Sequence, residues 1–127
     1  MKDMRWNTKI ILVTGANGFL GRRVVKQLEK RNPKKIICPS SKDCDLREKE
    51  NCKAMVKDVD LIFHVAGKVG GIGIMQEKPA ERFYDNIMMS TNLIHEAKEA
   101  NVEKFIGIGT VCSYPKFAKV PFTEDLI

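Results

Sequence analysis

The sequence predicts an α/β fold built on a doubly wound parallel sheet. Short apolar runs alternate with longer segments of helical periodicity, in the order strand, helix, strand, helix, strand, helix, strand. A glycine-rich stretch, TGANGFLG, follows the first apolar run, and 127 residues amount to one domain or part of one. We therefore expect a single unit over residues 1–127, with a sheet that stops after about the fourth strand.

Four apolar runs have the length and composition of buried parallel strands. They cover residues 10–13, 35–38, 59–65 and 104–108. The tail of the last run, GTVC, is expected to leave the sheet at the carboxyl end of its strand.

Three helices are expected between these strands. They cover residues 18–30, 47–57 and 79–101, and a loop with four glycines, residues 66–78, precedes the third. The side chains predicted to face the sheet are Phe19, Leu20, Val24, Val25 and Leu28 of the first helix, Ala54, Met55 and Val56 of the second, and Phe83, Asn86, Ile87, Ser90, Leu93, Ile94 and Ala97 of the third.

Composition excludes several classes of protein. The net charge of +6 is spread along the chain without a dense basic block, so we interpret it as solvated helix faces rather than a nucleic-acid surface. The four cysteines form no C-x-x-C pair, which argues against a zinc site or a disulfide framework and for a reducing compartment. No segment reaches the roughly 20 apolar residues of a membrane span. We expect a soluble, cytoplasmic protein with no metal and no nucleic-acid or membrane partner.

The stretch TGANGFLG has the form of a dinucleotide-binding turn between a strand and a helix. Gly15 permits a sharp turn, Gly18 lets the backbone approach a pyrophosphate, and Gly21 lets the helix pack closely on the sheet. The N–H groups and the dipole at the start of the helix would face the phosphates. A purely structural turn is the alternative. The cofactor contacts predicted here are Gly15, Asn17, Gly18, Phe19, Leu20, Gly21 and Arg22.

The end of the second strand bears on the choice between NADP and NAD. An acidic residue at this place binds a ribose 2′-hydroxyl, whereas basic or hydroxyl side chains accept a 2′-phosphate. The chain offers Ser40, Ser41 and Lys42 here, which favours NADP and leaves NAD as the alternative. Asp45 and Leu46 are expected to approach the adenine.

The loops after the third and fourth strands should face the same ligand, because ligands of open α/β sheets bind at the carboxyl ends of the strands. The residues assigned to the cofactor site are Val65, Ala66, Gly67, Lys68, Ile108 and Gly109. Thr110 and Cys112 follow and are placed beside the cofactor by topology, with ordinary burial as the alternative. His64, inside an apolar strand, is interpreted as a core histidine with satisfied hydrogen bonds.

Five blocks of sequence together carry a resemblance. They are TGANGFLG, Asp45-Leu46, HVAGKVGGI from His64, YDNIMMSTNLIHEA from Tyr84 and GTVCSYPK from Gly109. Through them the chain resembles the extended short-chain dehydrogenases/reductases, a Rossmann-type family of nucleotide-sugar epimerases, dehydratases and reductases. Within it, AGKVGGI and TVCSYPK are most similar to the NADP-dependent GDP-L-fucose synthases. Those enzymes carry out 3,5-epimerisation and 4-reduction of GDP-4-keto-6-deoxymannose, so a GDP-sugar is the substrate that the resemblance implies.

The resemblance also implies roles for single residues. Thr110 matches the catalytic serine or threonine that hydrogen-bonds the reacting oxygen. Cys112 matches the cysteine that exchanges a proton beside the carbonyl during epimerisation. Asn86 matches a helix asparagine near the active site, and the resemblance assigns it to the cofactor site. Val111 and Ser113 differ from the residues most common in fucose synthases.

One feature of the family is not found in these 127 residues. A Tyr-x-x-x-Lys pair should follow the threonine, but Met88 stands four positions after Tyr84, and Ala118 stands four after Tyr114. The resemblance implies that this pair, the histidine partner of the cysteine and the C-terminal substrate-binding region fall beyond residue 127. We expect an N-terminal cofactor-binding fragment with little turnover alone, since a general acid contributes about 10²–10⁴ in rate. Its open sheet edge should pair into a homodimer or aggregate.

Two other hypotheses stay open at this point. A stand-alone dinucleotide-binding module that senses or scaffolds would have all its apolar surface covered. A different nucleotide-sugar epimerase or dehydratase would share the glycines without needing Cys112.

Overall fold

The computed structural model of the protein describes residues 4–126, apart from the side chains of residues 72, 74 and 75. Four parallel strands form one sheet in the order β2-β1-β3-β4. The strands are β1 (Ile10–Thr14), β2 (Lys35–Ile37), β3 (Leu61–His64) and β4 (Lys104–Gly107). Leu12 lies beside Ile37 of β2 and Ile62 of β3, and Ile62 lies beside Phe105 of β4. The predicted strands are confirmed, with ends that differ by one or two residues.

Helices cover both faces of the sheet. They are α1 (Phe19–Glu29), α2 (Lys49–Met55), α3 (Ile72–Glu77) and α4 (Pro79–Glu99). Leu28 of α1 packs in one buried cluster with Ile11, whereas Cys52 of α2 and Leu93 of α4 pack in a second cluster with Leu12. Neighbouring residues of a strand point to opposite faces, so α1 covers one face and α2 and α4 cover the other.

The order of the strands creates a switch point in the sheet. The chain passes from β1 through α1 to β2 on one side, and from β3 through α4 to β4 on the other. The carboxyl ends of β1 and β3 therefore flank a crevice between two connections that diverge. This is the place where an open α/β sheet binds its ligand, and the glycine turn lies there.

The inner face of α4 differs from the prediction. Its buried residues are Asp85, Met89, Leu93, Glu96 and Ala97. Phe83, Ile87 and Ile94 were predicted to face the sheet, but they are 69%, 46% and 52% exposed. Ser90 does face the sheet, since its Oγ lies 3.1 Å from Nε2 of His64 in β3. The helix carries two apolar stripes. The stripe that packs against the sheet contains two buried carboxylates, whose charges are paired with neighbouring cations.

Smaller corrections concern the other helices. Phe19 and Leu20 are exposed, because α1 begins above the glycine turn, past the end of the sheet. Ala54 of α2 is exposed, and Cys52 packs in the core instead, one helical turn before Val56. The predicted loop over residues 66–78 contains the short helix α3.

Part of the apolar surface is uncovered within residues 4–126. It includes the outer stripe of α4 and, just past the end of β4, Ile108, which is 54% exposed. In the sheet formed by the described residues, β4 is an edge strand. No helix in this part of the chain is long and apolar enough to cross a membrane.

Candidate functional site

The glycine turn between β1 and α1 brings backbone segments unusually close together. Gly15 has φ +69°, and a Cβ built on it would lie 2.7 Å from the Cα of Ala66. A Cβ on Gly21 would lie only 2.0 Å from the carbonyl oxygen of Gly15. Gly18 is the N-cap of α1, and no side chain of the described residues caps this helix end. The first N–H groups of α1 are therefore available to an anion.

A cleft of about 660 Å³ opens over this turn at the switch point. Most of the residues predicted to contact a cofactor line it. They are Gly15, Asn17, Gly18, Phe19, Leu20, Gly21, Ser41, Asp45, Leu46, Val65, Ala66, Gly67 and Lys68. The exposure of Phe19 and Leu20 follows from this position, because both belong to the wall of the cleft rather than to the core.

Six predicted cofactor residues do not line the cleft. They are Arg22, Ser40, Lys42, Asn86, Ile108 and Gly109. Ser40 and Lys42 belong to the turn at its rim, where the Oγ of Ser40 accepts a hydrogen bond of 3.1 Å from the backbone N–H of Lys42. Topology brings a loop to the site, but it does not decide which side chains of the loop line the cleft.

Sequence reasoning missed six residues of the lining. They are Thr14, Pro39, Cys44, Arg47, Val69 and Met89. Five of them directly flank residues that were predicted. Extending each motif by one position would therefore have found Thr14, Pro39, Cys44, Arg47 and Val69. Met89 comes from α4 and had no such signal.

Arg47 and Lys68 belong to an ion network along one wall of the cleft. The guanidinium of Arg47 donates to both carboxylate oxygens of Asp45, at 3.0 Å and 2.6 Å, and to Asp85 Oδ1 at 2.8 Å. Lys68 Nζ lies 2.7 Å from Asp85 Oδ2. The hydrogen bonds from Arg47 lower the pKa of Asp45 to about 2. Lys68, and then Arg47, lower the pKa of Asp85, so both carboxylates are ionised at neutral pH.

Asn86 fixes the backbone of the loop that follows β3. Its Oδ1 accepts from the N–H of Lys68 at 2.7 Å, and its Nδ2 donates to the carbonyl oxygen of the same residue at 3.1 Å. The asparagine singled out by the resemblance therefore acts on the cleft wall through Lys68 and does not line the cleft itself.

His64 is a buried histidine with partners on both ring nitrogens. Nδ1 lies 2.8 Å from the Oγ1 of Thr14, and Nε2 lies 3.1 Å from the Oγ of Ser90. The Oγ1 of Thr14 also accepts from the N–H of Ala66 at 3.3 Å, which ties β1 to the start of the cleft loop. The interpretation of His64 as a satisfied core histidine is confirmed.

The burial of His64 predicts a pH dependence of stability. Desolvation lowers its pKa below the ordinary value of 6.5, so in acid the unfolded chain binds a proton that the folded chain resists. The contribution to stability is complete above about pH 6.5 and is lost as the pH falls below it. Between pH 7.5 and pH 5.5, the free energy of unfolding measured with urea should fall more for the wild type than for His64→Gln. His95→Gln changes an exposed histidine, so its free energy of unfolding should fall as much as that of the wild type. An equal fall in all three proteins would contradict the prediction.

Thr110 and Cys112 are exposed at the carboxyl end of β4. The Oγ1 of Thr110 accepts a 3.3 Å hydrogen bond from the N–H of Cys112 and caps the short 3₁₀ helix Val111–Ser113. The alternative of ordinary burial is therefore wrong for both. Neither side chain lines the cleft, and both are accessible to a ligand that approaches from the side of β4.

Groups of three or more metal-binding side chains are not found among residues 4–126. All four cysteines are free thiols: Cys38, Cys44, Cys52 and Cys112. Burial raises the pKa of Cys52 to about 11. Partial desolvation, together with nearby carboxylates, raises the pKa of Cys38 and Cys44. These three thiols are therefore protonated at neutral pH and are poor nucleophiles.

A glycine turn at the switch point of a doubly wound parallel sheet defines a Rossmann-type α/β protein. The chain belongs to the NAD dependent epimerase/dehydratase family, which matches residues 11–127.

Named relatives agree with this family. The chain is 36% identical to the GDP-L-colitose synthase of Yersinia pseudotuberculosis over 92% of its own length and 38% of the relative. It is 30% identical to the GDP-L-fucose synthase of Escherichia coli K12, over 91% of this chain and 36% of that enzyme. It is 25% identical to the GDP-mannoheptose C4 reductase of Campylobacter jejuni, solved with NADP bound, with a TM-score of 0.85 over 94% of this chain and 38% of that one. The chain thus spans little more than a third of each.

Proposed function

We propose that these residues form the cofactor-binding part of an NADP-dependent nucleotide-sugar epimerase/reductase of the GDP-L-fucose synthase type. The observation that carries the proposal is the glycine turn under the cleft, where no Cβ could be added to Gly15 or Gly21 without a backbone clash. Such a tight turn, with the helix packed closely on the strand, places Gly18 and the start of α1 where a dinucleotide pyrophosphate binds. Both relatives compared by sequence are named for GDP-linked L-sugars, and this supports a GDP-sugar as the substrate.

The residues of the cleft fit each part of the cofactor. The pyrophosphate would lie on the turn from Gly15 to Gly21, against the free N–H groups of α1. The adenine would lie near Asp45 and Leu46, and the loop from Val65 to Lys68 would lie alongside the rest of the dinucleotide. The 2′-phosphate would be met at the rim by Ser40, Ser41, Lys42 and Arg22. When bound, NADPH supplies a hydride to a carbonyl carbon.

The chemistry at the sugar is assigned to two residues that the cofactor cleft does not include. The hydroxyl of Thr110 would donate a hydrogen bond to the oxygen of the reacting carbonyl, which polarises the carbonyl. During epimerisation, the thiol of Cys112 would exchange the proton on the carbon next to that carbonyl. The two residues stand together at the end of β4, joined by one hydrogen bond. Without the family's Tyr-x-x-x-Lys pair, we propose that these 127 residues bind the cofactor but turn over little substrate.

The uncovered apolar surface favours this proposal over a stand-alone sensing module. Phe83, Ile87 and Ile94 on α4, and Ile108 after β4, are each at least 46% exposed. A module that works alone is expected to cover such a surface. A part of a larger enzyme or of a homodimer is expected to present it to the neighbouring region.

The cofactor preference can be tested by titration with NADPH and NADH. We expect NADPH to bind more tightly, because only it carries the 2′-phosphate that Lys42 can contact. Lys42→Ala should weaken NADPH binding by about two- to fivefold, the range of an exposed ion pair, and should leave NADH binding unchanged. Lys53→Ala, at an exposed position of α2, serves as the matched control. If the wild type bound neither nucleotide, the proposed cofactor site would be refuted. If Lys42→Ala lost equal affinity for NADPH and NADH, the assignment of Lys42 to the 2′-phosphate would be refuted.

A further inference from the structure

We propose that Asp85 is a positioning residue of the cofactor cleft, which joins Arg47 and Lys68 from two separate loops into one wall. The proposal rests on the proposed function, because it concerns the shape of the same cleft. Asp85 does not line the cleft, whereas both of its partners do. It would therefore act on a bound dinucleotide only through them.

The geometry of Asp85 is that of a bridge. Its side chain is 3% exposed, and each carboxylate oxygen has a different cation, Arg47 Nη1 at 2.8 Å and Lys68 Nζ at 2.7 Å. Arg47 comes from the connection between β2 and α2, and Lys68 comes from the loop after β3. No backbone hydrogen bond joins these two segments in the described residues. The carboxylate on α4 is thus their common anchor.

The partners of Asp85 are themselves held in place. Asp45 binds the other side of the Arg47 guanidinium, and Asn92 of α4 donates to the carbonyl oxygen of Arg47 at 2.7 Å. Asn86 holds the backbone of Lys68 from both sides. With its ends fixed, the bridge sets the distance between Asp45 and Lys68 along this wall of the cleft.

The charges in the network also balance. Two carboxylates, Asp45 and Asp85, face two cations, Arg47 and Lys68. Without Asp85, the cations would repel each other and would be free to turn into the cleft. A preformed cleft binds its ligand without first having to order its walls.

A second buried carboxylate on α4 provides the comparison. Glu96 is 6% exposed at its side chain and lies 3.6 Å from Lys49 and 3.8 Å from His95. None of these three residues lines the cleft. The two acids share the inner face of one helix, but only Asp85 is connected to the cofactor site. Glu96→Gln therefore reproduces the loss of a buried charge without the loss of the bridge.

The test measures NADP⁺ affinity by titration calorimetry on the full chain. Asp85→Asn keeps the shape of the side chain and removes its charge. We expect affinity to fall on the order of tenfold, the size of effect that supporting residues behind metal ligands show. Glu96→Gln should stay within about twofold of the wild type, even where both variants melt at lower temperature.

A double-mutant cycle separates positioning from stability and does not depend on the folding of Asp85→Asn. Arg47→Gln and Lys68→Met each cut the bridge at one end, and both side chains are about 40% exposed. If the bridge needs both ends, the double variant should lose less affinity than the sum of the two single losses.

The outcomes distinguish the two proposals. Strictly additive losses in the cycle, or an Asp85→Asn protein that binds NADP⁺ as well as Glu96→Gln does, would overturn the positioning role and leave the proposed function standing. Absence of NADP⁺ binding by the wild type would overturn the proposed function and the positioning role together.

Discussion

Gly21→Ala is expected to destabilise the fold by about 3 kcal/mol, the upper end of the usual cost of overpacking, and to weaken NADP⁺ binding strongly. The added Cβ would lie 2.0 Å from the Gly15 carbonyl oxygen and 2.7 Å from the Cα of Ala16. Both are backbone atoms, so no side-chain rotation can relieve the clash. Helix α1 must therefore move away from the glycine turn, and its first N–H groups would no longer lie beside that turn. Thermal melting should show a fall in Tm of about 10 °C.

Gly71→Ala is the matched control for this substitution. A Cβ at Gly71 meets no atom within 4 Å, so the same chemical change should leave melting and NADP⁺ binding at wild-type values. A Gly21→Ala protein that melts and binds like Gly71→Ala would show that the helix can shift at little cost. The close packing of α1 on the turn would then not be a requirement of the fold.

The strands and the glycine turn could be predicted from sequence because their signals are local. A buried parallel strand is a short apolar run. β3 lies inside such a run, and β1 extends beyond one by a single residue, Thr14. The turn depends on the eight residues 14–21. Within them, Gly15 and Gly21 mark the two positions where one backbone segment must approach another closely.

The orientation of α4 could not be read in the same way. Two stripes of the helix are apolar, and the more hydrophobic of them, with Phe83, Ile87 and Ile94, faces outward. The inner stripe contains Asp85 and Glu96, which a count of apolar residues would place in solvent. Their burial depends on cations that are far away in sequence, and periodicity within a helix carries no information about these partners.

The ion network was missed for the same reason. Arg47 and Asp85 are 38 residues apart, and they meet only because α2 and α4 cover the same face of the sheet. Asp45 and Lys68 were predicted as single contacts to a cofactor, although each is also one end of a chain of charges. A sequence motif names residues that touch a ligand, but it does not name the residues that hold them.

Leu93→Ala is the second substitution with a large expected effect. Leu93 is fully buried in the cluster between α4 and the sheet, and truncating a buried leucine costs about 3 kcal/mol through lost contacts and the remaining cavity. The same helix carries Asp85 and Asn86, about two turns before Leu93, so loosening α4 should also weaken the network behind the cleft. Urea unfolding should show the lower stability, and NADP⁺ titration should show the weaker binding.

Ile94→Ala makes the comparison decisive, because the two residues are neighbours on one helix. Ile94 is 52% exposed, and its truncation should change the free energy of unfolding by no more than about 0.5 kcal/mol. Since sequence periodicity assigned both residues to the inner face, only the orientation found in the structure predicts such unequal losses. A loss at Ile94 as large as that at Leu93 would mean that the outer stripe of α4 is covered in solution, as a second copy of the chain would cover it.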